Sequence, residues 1–152
     1  VELQGEEKEF IDMLSALDIS TSGLVAQRMR MTAISNNLAN ISTTHNEAGE
    51  TAPYRPRFVV FQTDDQLQSP LGAAGVKIES VQESQAEPRW RYQPGHPDAQ
   101  KSGEHEGYVA YPNVNLMTEF TDALEATRSY EANVGVIEVT KDLFQQTLRI
   151  LA

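Results

Sequence analysis

Chemistry in a protein is carried mostly by histidines, cysteines and paired carboxylates, and this chain offers few arrangements of them. Its three histidines, His45, His96 and His105, have no partner at helical metal-ligand spacing. Glu104-His105-Glu106 would grip a cation weakly, but a solvated charged loop accounts for the same residues. Glu119, Asp122, Glu125, Glu131, Glu138 and Asp142 recur along a helical stretch and read as its solvated face, since acid–base work needs a pocket that the sequence does not supply. Trp90 and its aromatic neighbours would make either a ligand platform or, more simply, core. The absence of cysteine removes disulfides, thiolate zinc sites and cysteine nucleophiles together. Neither a glycine-rich phosphate loop nor a nucleophile elbow occurs. The expectation is a protein that is no enzyme and holds no cofactor or metal.

Composition narrows the partners. The formal charge of −10 is spread along 152 residues, so nucleic acid is an unfavourable partner. Arg55, Arg57, Lys77, Arg89, Arg91 and Lys101 gather in the middle, where acids outnumber them and cancel any basic stripe. No apolar run approaches the ~20 residues of a membrane span, which argues against membrane insertion. Glu2, Glu6, Glu7 and Glu9 against a single Lys8 are the reverse of a secretory signal's basic start, so any export is expected to use a route without a cleavable signal peptide.

All seven prolines lie between Pro53 and Pro112. Since proline interrupts helices, the reading is helix, then turn-rich strands, then helix: an α+β chain with two long terminal helices forming a coiled-coil-like pair and a small β-rich centre. Stepping four then three from Leu116 gives Leu116, Phe120, Ala123, Thr127, Tyr130, Val134, Ile137, Lys141, Phe144, Leu148 and Leu151, a mostly apolar seam expected to pack on the other helix and on neighbouring subunits. Leu14, Leu17, Leu24, Met31, Ile34 and Leu38 keep a looser rhythm on the first helix, expected over about residues 10 to 40 with Gly23 as the place for a bend. Strands are expected at Arg57–Gln62, Val76–Val81, Arg89–Tyr92 and Tyr108–Tyr111, forming a small, twisted, mostly antiparallel sheet around Phe58, Val60, Ile78, Trp90 and Tyr92. Four short strands are too small to cover stripes of that length, and an apolar stripe left bare is an association surface. Self-assembly follows as the economical explanation.

Ala16–Met31 followed by Ile34–Thr44 resembles the N-terminal signature of flagellar rod and hook proteins, centred on Ala39-Asn40-Ile41-Ser42-Thr43. Further on, His96-Pro97-Asp98-Ala99 and Gly107–Leu116 resemble the proximal-rod family FlgC, and Glu125–Val134 is similar to that family's C-terminal helix. The signature positions are Asn36, Asn37, Ala39, Asn40 and Thr43, with Pro112, Asn113 and Asn115 before the second helix. Asparagines at a helix end suit left-handed geometry, bonds to freed main-chain groups and N-capping.

The residues divide the chain into 1–9 as a flexible leader, 10–44 as N-terminal axial helix and signature loop, 45–112 as β-rich centre and 113–152 as C-terminal axial helix, and the resemblance runs from about residue 11 to the end. The resemblance implies a structural subunit of the rod in the flagellar basal body, crossing the periplasmic space. Its partners would be copies of itself and other rod proteins in a helical tube, reached through the flagellar type III export apparatus. The competing reading is a soluble helical adaptor or chaperone-like module that grips a partner's helix in a groove.

Overall fold

The computed structural model describes residues 2–46, 48–70 and 72–151, with side chains described for 11–46, 48–70 and 72–149. Two long helices flank two small sheets. The first helix, α1 (Glu2–Ala39), has no proline and holds its helical backbone through Gly23. It begins at Glu2 rather than near residue 10, so helix occupies positions 2–9 that were set apart as a leader. Apart from Gly5, that stretch is filled by Glu, Leu, Gln and Lys, which are good helix formers. The second helix, α2, covers Leu116–Leu151.

Between them lie β1 (Arg57–Gln68), β2 (Ala74–Glu83), β3 (Arg89–Tyr92) and β4 (Tyr108–Tyr111). The expected single sheet is instead two separate pairs, β1 with β2 and β3 with β4. Extension of β1 and β2 beyond the expected ends makes a long hairpin, and Pro88, which cannot donate to a ladder, stands just before β3.

One compact unit combines α1 up to Met31, Val59–Ser80 and α2 from Leu124 onward. Here Arg30 pairs with Glu125 at 3.5 Å, Met31 Sδ meets Thr127 Oγ1 at 4.0 Å, and a Cβ at Gly23 would lie 2.9 Å from the Asn133 side chain. The sequence numbers run in opposite directions, so the helices are antiparallel. The buried side chains in this unit are small: Ser20, Ala26, Ala126 and Thr140. Ser22 Oγ accepts the Val76 N–H at 3.0 Å and fixes the hairpin to α1.

The other unit holds Thr32–Phe58 and Val81–Ala123. Its core is Ala33, Ile34, Val109 and Val114, with Asn37 and Thr44 buried among the polar residues. In the β3–β4 register, Trp90 faces Ala110 and Tyr92 faces Tyr108, while Arg91 faces Val109. Side chains alternate along strands, so burial of Val109 turns the aromatic face outward. This corrects the expected core: Tyr92 is 63% exposed, Phe58 is exposed, and Val60, Ile78 and Trp90 are only half-buried. The outward rings cover each other instead, Trp90 stacking on His105 at 3.9 Å and Tyr92 meeting Tyr108 edge-on at 5.1 Å.

Candidate functional site

The signature begins in the last turns of α1, where a helix leaves carbonyl groups without intrahelical donors. Asn36 O keeps its backbone donor, the Asn40 N–H at 3.1 Å, and takes a second bond from Asn40 Nδ2 at 2.9 Å, while Asn40 Oδ1 receives the Thr43 hydroxyl at 3.1 Å. Thr43 O then accepts the Tyr54 N–H at 3.1 Å and returns the chain toward β1. Left-handed geometry plays no part, because among the described residues only glycines have positive φ. The asparagines act through their side chains.

Asn37 is the centre of this arrangement and is buried, with 3% exposure. Its Oδ1 accepts the Arg57 N–H at 2.8 Å and the Tyr54 hydroxyl at 3.0 Å, while Nδ2 donates to Arg57 O at 2.9 Å. The side-chain amide thus pairs with both backbone groups of Arg57, much as a neighbouring strand would. Nδ2 also donates to the Glu119 carboxylate at 3.2 and 3.3 Å, which ties the end of α1 to the first turns of α2. Glu119 is held above the usual carboxylate range, chiefly because burial penalises its charge and also because Asp122 is near, against the opposing bond from Asn37. The Tyr54 phenol is likewise raised, first by burial and then by Glu83 and Glu119, with Arg57 opposing.

The remaining signature residues support this node or surround it. Asn36 and Asn40 line an open cleft of about 780 Å³ with His45, Tyr54, Arg55, Arg57 and Glu83, and Ala39 is exposed. At the start of α2, Asn115 Oδ1 accepts the N–H groups of Met117 at 3.0 Å and Thr118 at 3.4 Å, the bonding of an N-cap. Asn113 donates to Glu87 O at 3.0 Å, and Pro112 is buried between β4 and α2. Sequence reasoning did not single out Tyr54 or Arg57 and read Glu119 as a solvated carboxylate. No motif marks any of them, and only the fold brings them to Asn37.

The helix seam differs from expectation in its phase. Tyr130, Val134, Ile137 and Phe144 are half-buried, yet Leu116, Phe120 and Leu148 are exposed. The inward track on α2 runs Glu119, Ala123, Ala126, Tyr130, Asn133, Ile137, Thr140, Phe144 and Thr147, the same four-three rhythm with alternate members one residue earlier. Small and polar side chains there admit the close approach at Gly23. On α1, Ile34 is buried, Leu17, Leu24, Met31 and Leu38 are half-buried, and Leu14 is exposed. The Leu151 side chain lies outside the described residues. Ile11, Val25 and Met29 on α1, and Met117, Leu124, Val136, Val139 and Leu143 on α2, are apolar and exposed.

Of the histidines, His105 is the ring stacked on Trp90, while His45 and His96 both stand beside Asp98. Among the described residues no group of three or more His, Cys, Asp or Glu side chains could hold a metal ion. No helix is long and apolar enough to cross a membrane among them.

Comparison with known proteins agrees at both ends of the chain. Residues 17–45 match the family described as flagella basal body rod protein, and residues 105–150 match the C-terminal family of flagellar basal body rod FlgEFG proteins. The chain is 37% identical over 151 residues to the flagellar basal-body rod protein FlgC of Borreliella burgdorferi, covering 91% of this chain and 97% of that one. It is 38% identical over 138 residues to FlgC of Salmonella typhimurium, with the same coverage, and 37% identical over 147 residues to FlgC of Bacillus subtilis, covering 89% and 95%. With the signature asparagines built into a structural node and this similarity running across most of the sequence, the chain belongs to the FlgC family of flagellar basal-body rod proteins.

Proposed function

We propose that this chain is a structural subunit of the proximal rod, assembling with copies of itself and with other rod proteins into the helical tube that transmits torque across the periplasm. One observation carries the contact assignment: apolar side chains on both terminal helices, Ile11, Val25 and Met29 on α1 and Met117, Leu124, Val139 and Leu143 on α2, are exposed among the described residues. On this reading the segments 10–44 and 113–152 supply the axial contacts, and 45–112 decorates them. The seam residues Ile34, Tyr130, Ile137 and Phe144 hold the chain's own fold, and the outward set meets neighbours. Lack of disulfides suits passage through the flagellar export apparatus as an unfolded chain.

The test is complementation of a strain lacking the gene, read by electron microscopy of basal bodies. Val139→Asp places a charge on the outward face, where it is expected to change monomer stability by less than about 0.5 kcal/mol. Basal bodies are expected to stop before the rod. Complete rods built from this variant would overturn the contact assignment, and complete rods in the strain with no gene copy would overturn the function.

A further inference from the structure

A net charge of −10 on every copy opposes association between copies, so an attractive contact has to be local. One cleft departs from the acidic balance. Arg89 and Arg91 alternate with Trp90 along β3 and so share a face of the β3–β4 pair, which Tyr111, opposite Arg89, shares too. With Ile41, Ser42 and Pro112 these residues line a cleft of about 440 Å³ that has no carboxylate among its described residues. Arg89 makes one bond, from Nη1 to Val114 O at 3.4 Å, and Arg91 makes none among the described residues. A guanidinium carries five N–H donors, so most of those at the cleft have no partner in the chain.

The outer face of α2 carries the complementary arrangement. Glu138 and Asp142 are the only two carboxylates four residues apart on a helix among the described side chains, and neither forms an ion pair among them. That spacing sets them about 6 Å apart along the helix axis. Two residues of strand set Arg89 and Arg91 about 6.6 Å apart, a close match. Val139 and Leu143, 60% and 51% exposed, run beside the acid pair and offer apolar surface. Gly135 stands one turn before Val139, and a Cβ there would meet nothing within 4 Å. Glycine is a poor helix former, and no contact inside the chain calls for one here, so the bare backbone suits the close approach of another molecule.

We propose that the cleft at Arg89 and Arg91 receives the Gly135–Leu143 stretch of α2 from a second copy of this chain, with Glu138 and Asp142 pairing with the two arginines and Val139 and Leu143 packing on the apolar lining. This rests on the reading of the chain as a rod subunit and deepens it by assigning one contact within the rod. Cleft and ridge are different parts of the chain, so each copy offers both and the contact is head-to-tail, the kind that builds rings and helices rather than two-fold pairs. The charge pairs set register, since a shift along the helix leaves the arginines without carboxylates and returns the copies to mutual repulsion.

The test is cross-linking between copies, and because the chain has no cysteine, introduced ones report alone. Ser42→Cys places a thiol in the cleft lining and Gln146→Cys one turn beyond Asp142, both at exposed positions outside the proposed pairs. A strain lacking the gene expresses the two variants together, one of them tagged, and isolated basal bodies are treated with a short bis-maleimide. A linked pair of tagged and untagged chains is expected, with either variant alone giving at least about fivefold less. Arg89→Glu with Arg91→Glu in the Ser42→Cys copy should lower the yield at least about fivefold, since two attractions become two repulsions. Glu138→Arg with Asp142→Arg in the other copy should restore it. Gly135→Leu in the Gln146→Cys copy, which that copy's own helix has room for, should lower the yield as well. A yield no higher than with one cysteine alone overturns the proposal, as does a yield that survives both the arginine reversal and Gly135→Leu, or an adduct with a different protein in place of a second copy. If the reversed chains do not fold, the unreversed pair and Gly135→Leu decide. Rods restored by the wild-type chain without a linked pair sink this contact alone, whereas complete rods in the strain with no gene copy sink the rod reading itself.

Discussion

Asn37→Asp tests the node by changing one group while keeping its shape. The retained Oδ1 still accepts from Arg57 N–H and Tyr54 OH, but the new oxygen replaces a donor that lies 2.9 Å from Arg57 O and 3.2 Å from Glu119 Oε1. Two acceptors then face each other, and a second carboxylate stands against Glu119. Leaving a buried carbonyl without its donor costs about 1–3 kcal/mol, and losing a bond to a charged group costs about 1.5–3 kcal/mol. Because Glu119 is partly exposed, the lower half of each range applies, giving about 3 kcal/mol, or roughly a hundredfold in the folding equilibrium. That is a large share of the ~5–15 kcal/mol that holds a typical domain together. Trp90, the only tryptophan, lies in the same compact unit, so denaturant unfolding followed by its fluorescence reads the loss directly. Adding Glu119→Gln should recover at least ~1 kcal/mol, since the Gln amide can donate to Asp where the carboxylate could not. An Asn37→Asp chain within about 0.5 kcal/mol of wild type would refute the node as a source of stability.

Glu119→Gln alone carries a pH dependence of definite sign. Burial raises the folded carboxyl above its unfolded value, so the folded chain binds that proton more tightly and gains stability as pH falls through the folded value toward the ordinary 4.5. At neutral pH both states are charged and the burial penalty is fully felt. The Gln variant is therefore expected to have the higher denaturation midpoint near pH 7 and to lose that advantage in acid; an advantage growing with acidity would contradict it. Gly107→Ala should cost more than Gly103→Ala in thermal melts: both backbones have positive φ, but a Cβ at Gly107 would meet the Tyr92 ring at 2.8 Å while none lies near Gly103. The expected difference is about 1–3 kcal/mol, the usual cost of overpacking, and equal losses would remove the role given to the Tyr92 contact. Gly23→Leu should weaken the helix pair by driving a side chain into Asn133, read as a lowered melting point with helicity retained at low temperature.

The two helices and their near ends were legible because their signals are local: proline is excluded from both, and Asn115 stands where a cap belongs. β3 and β4 were legible for the same reason, with Arg89-Trp90-Arg91-Tyr92 alternating in a strand rhythm. Which face pointed inward was not, because alternation fixes only that aromatics and arginines oppose each other. Val109 decided it from the partner strand, a pairing that local pattern does not contain. The node was legible only in part. Asn37 was singled out, but its partners Tyr54, Arg57 and Glu119 are 17, 20 and 82 residues away and belong to no motif.

The displaced seam is the most instructive of these differences, because it follows from what a subunit's helix has to do. A helix in a self-sufficient pair puts its largest apolar residues inward, and choosing Phe120 and Leu148 for the seam assumed that rule. On α2 the inward track takes Ala126, Asn133 and Thr140, while Leu124, Val139 and Leu143 stay outside. Internal contacts made by small residues bury little apolar area, and burial stabilises at only about 25 cal/mol per Å². The large inward apolar contacts of α2 come down to Tyr130, Ile137 and Phe144, while Leu124, Val139 and Leu143 leave further hydrophobic stabilisation on the outer face. Exchanging the two sets, with leucine at Ala126 and Thr140 and with glutamate at Leu124 and Val139, should leave the apolar content of α2 nearly unchanged while moving it inward. If the outer face is the assembly surface, that chain is expected to fail in rod assembly even where its helices remain folded, with basal bodies again ending before the rod. Normal rods from the exchanged chain would mean that the exposed residues of α2 carry no assembly energy.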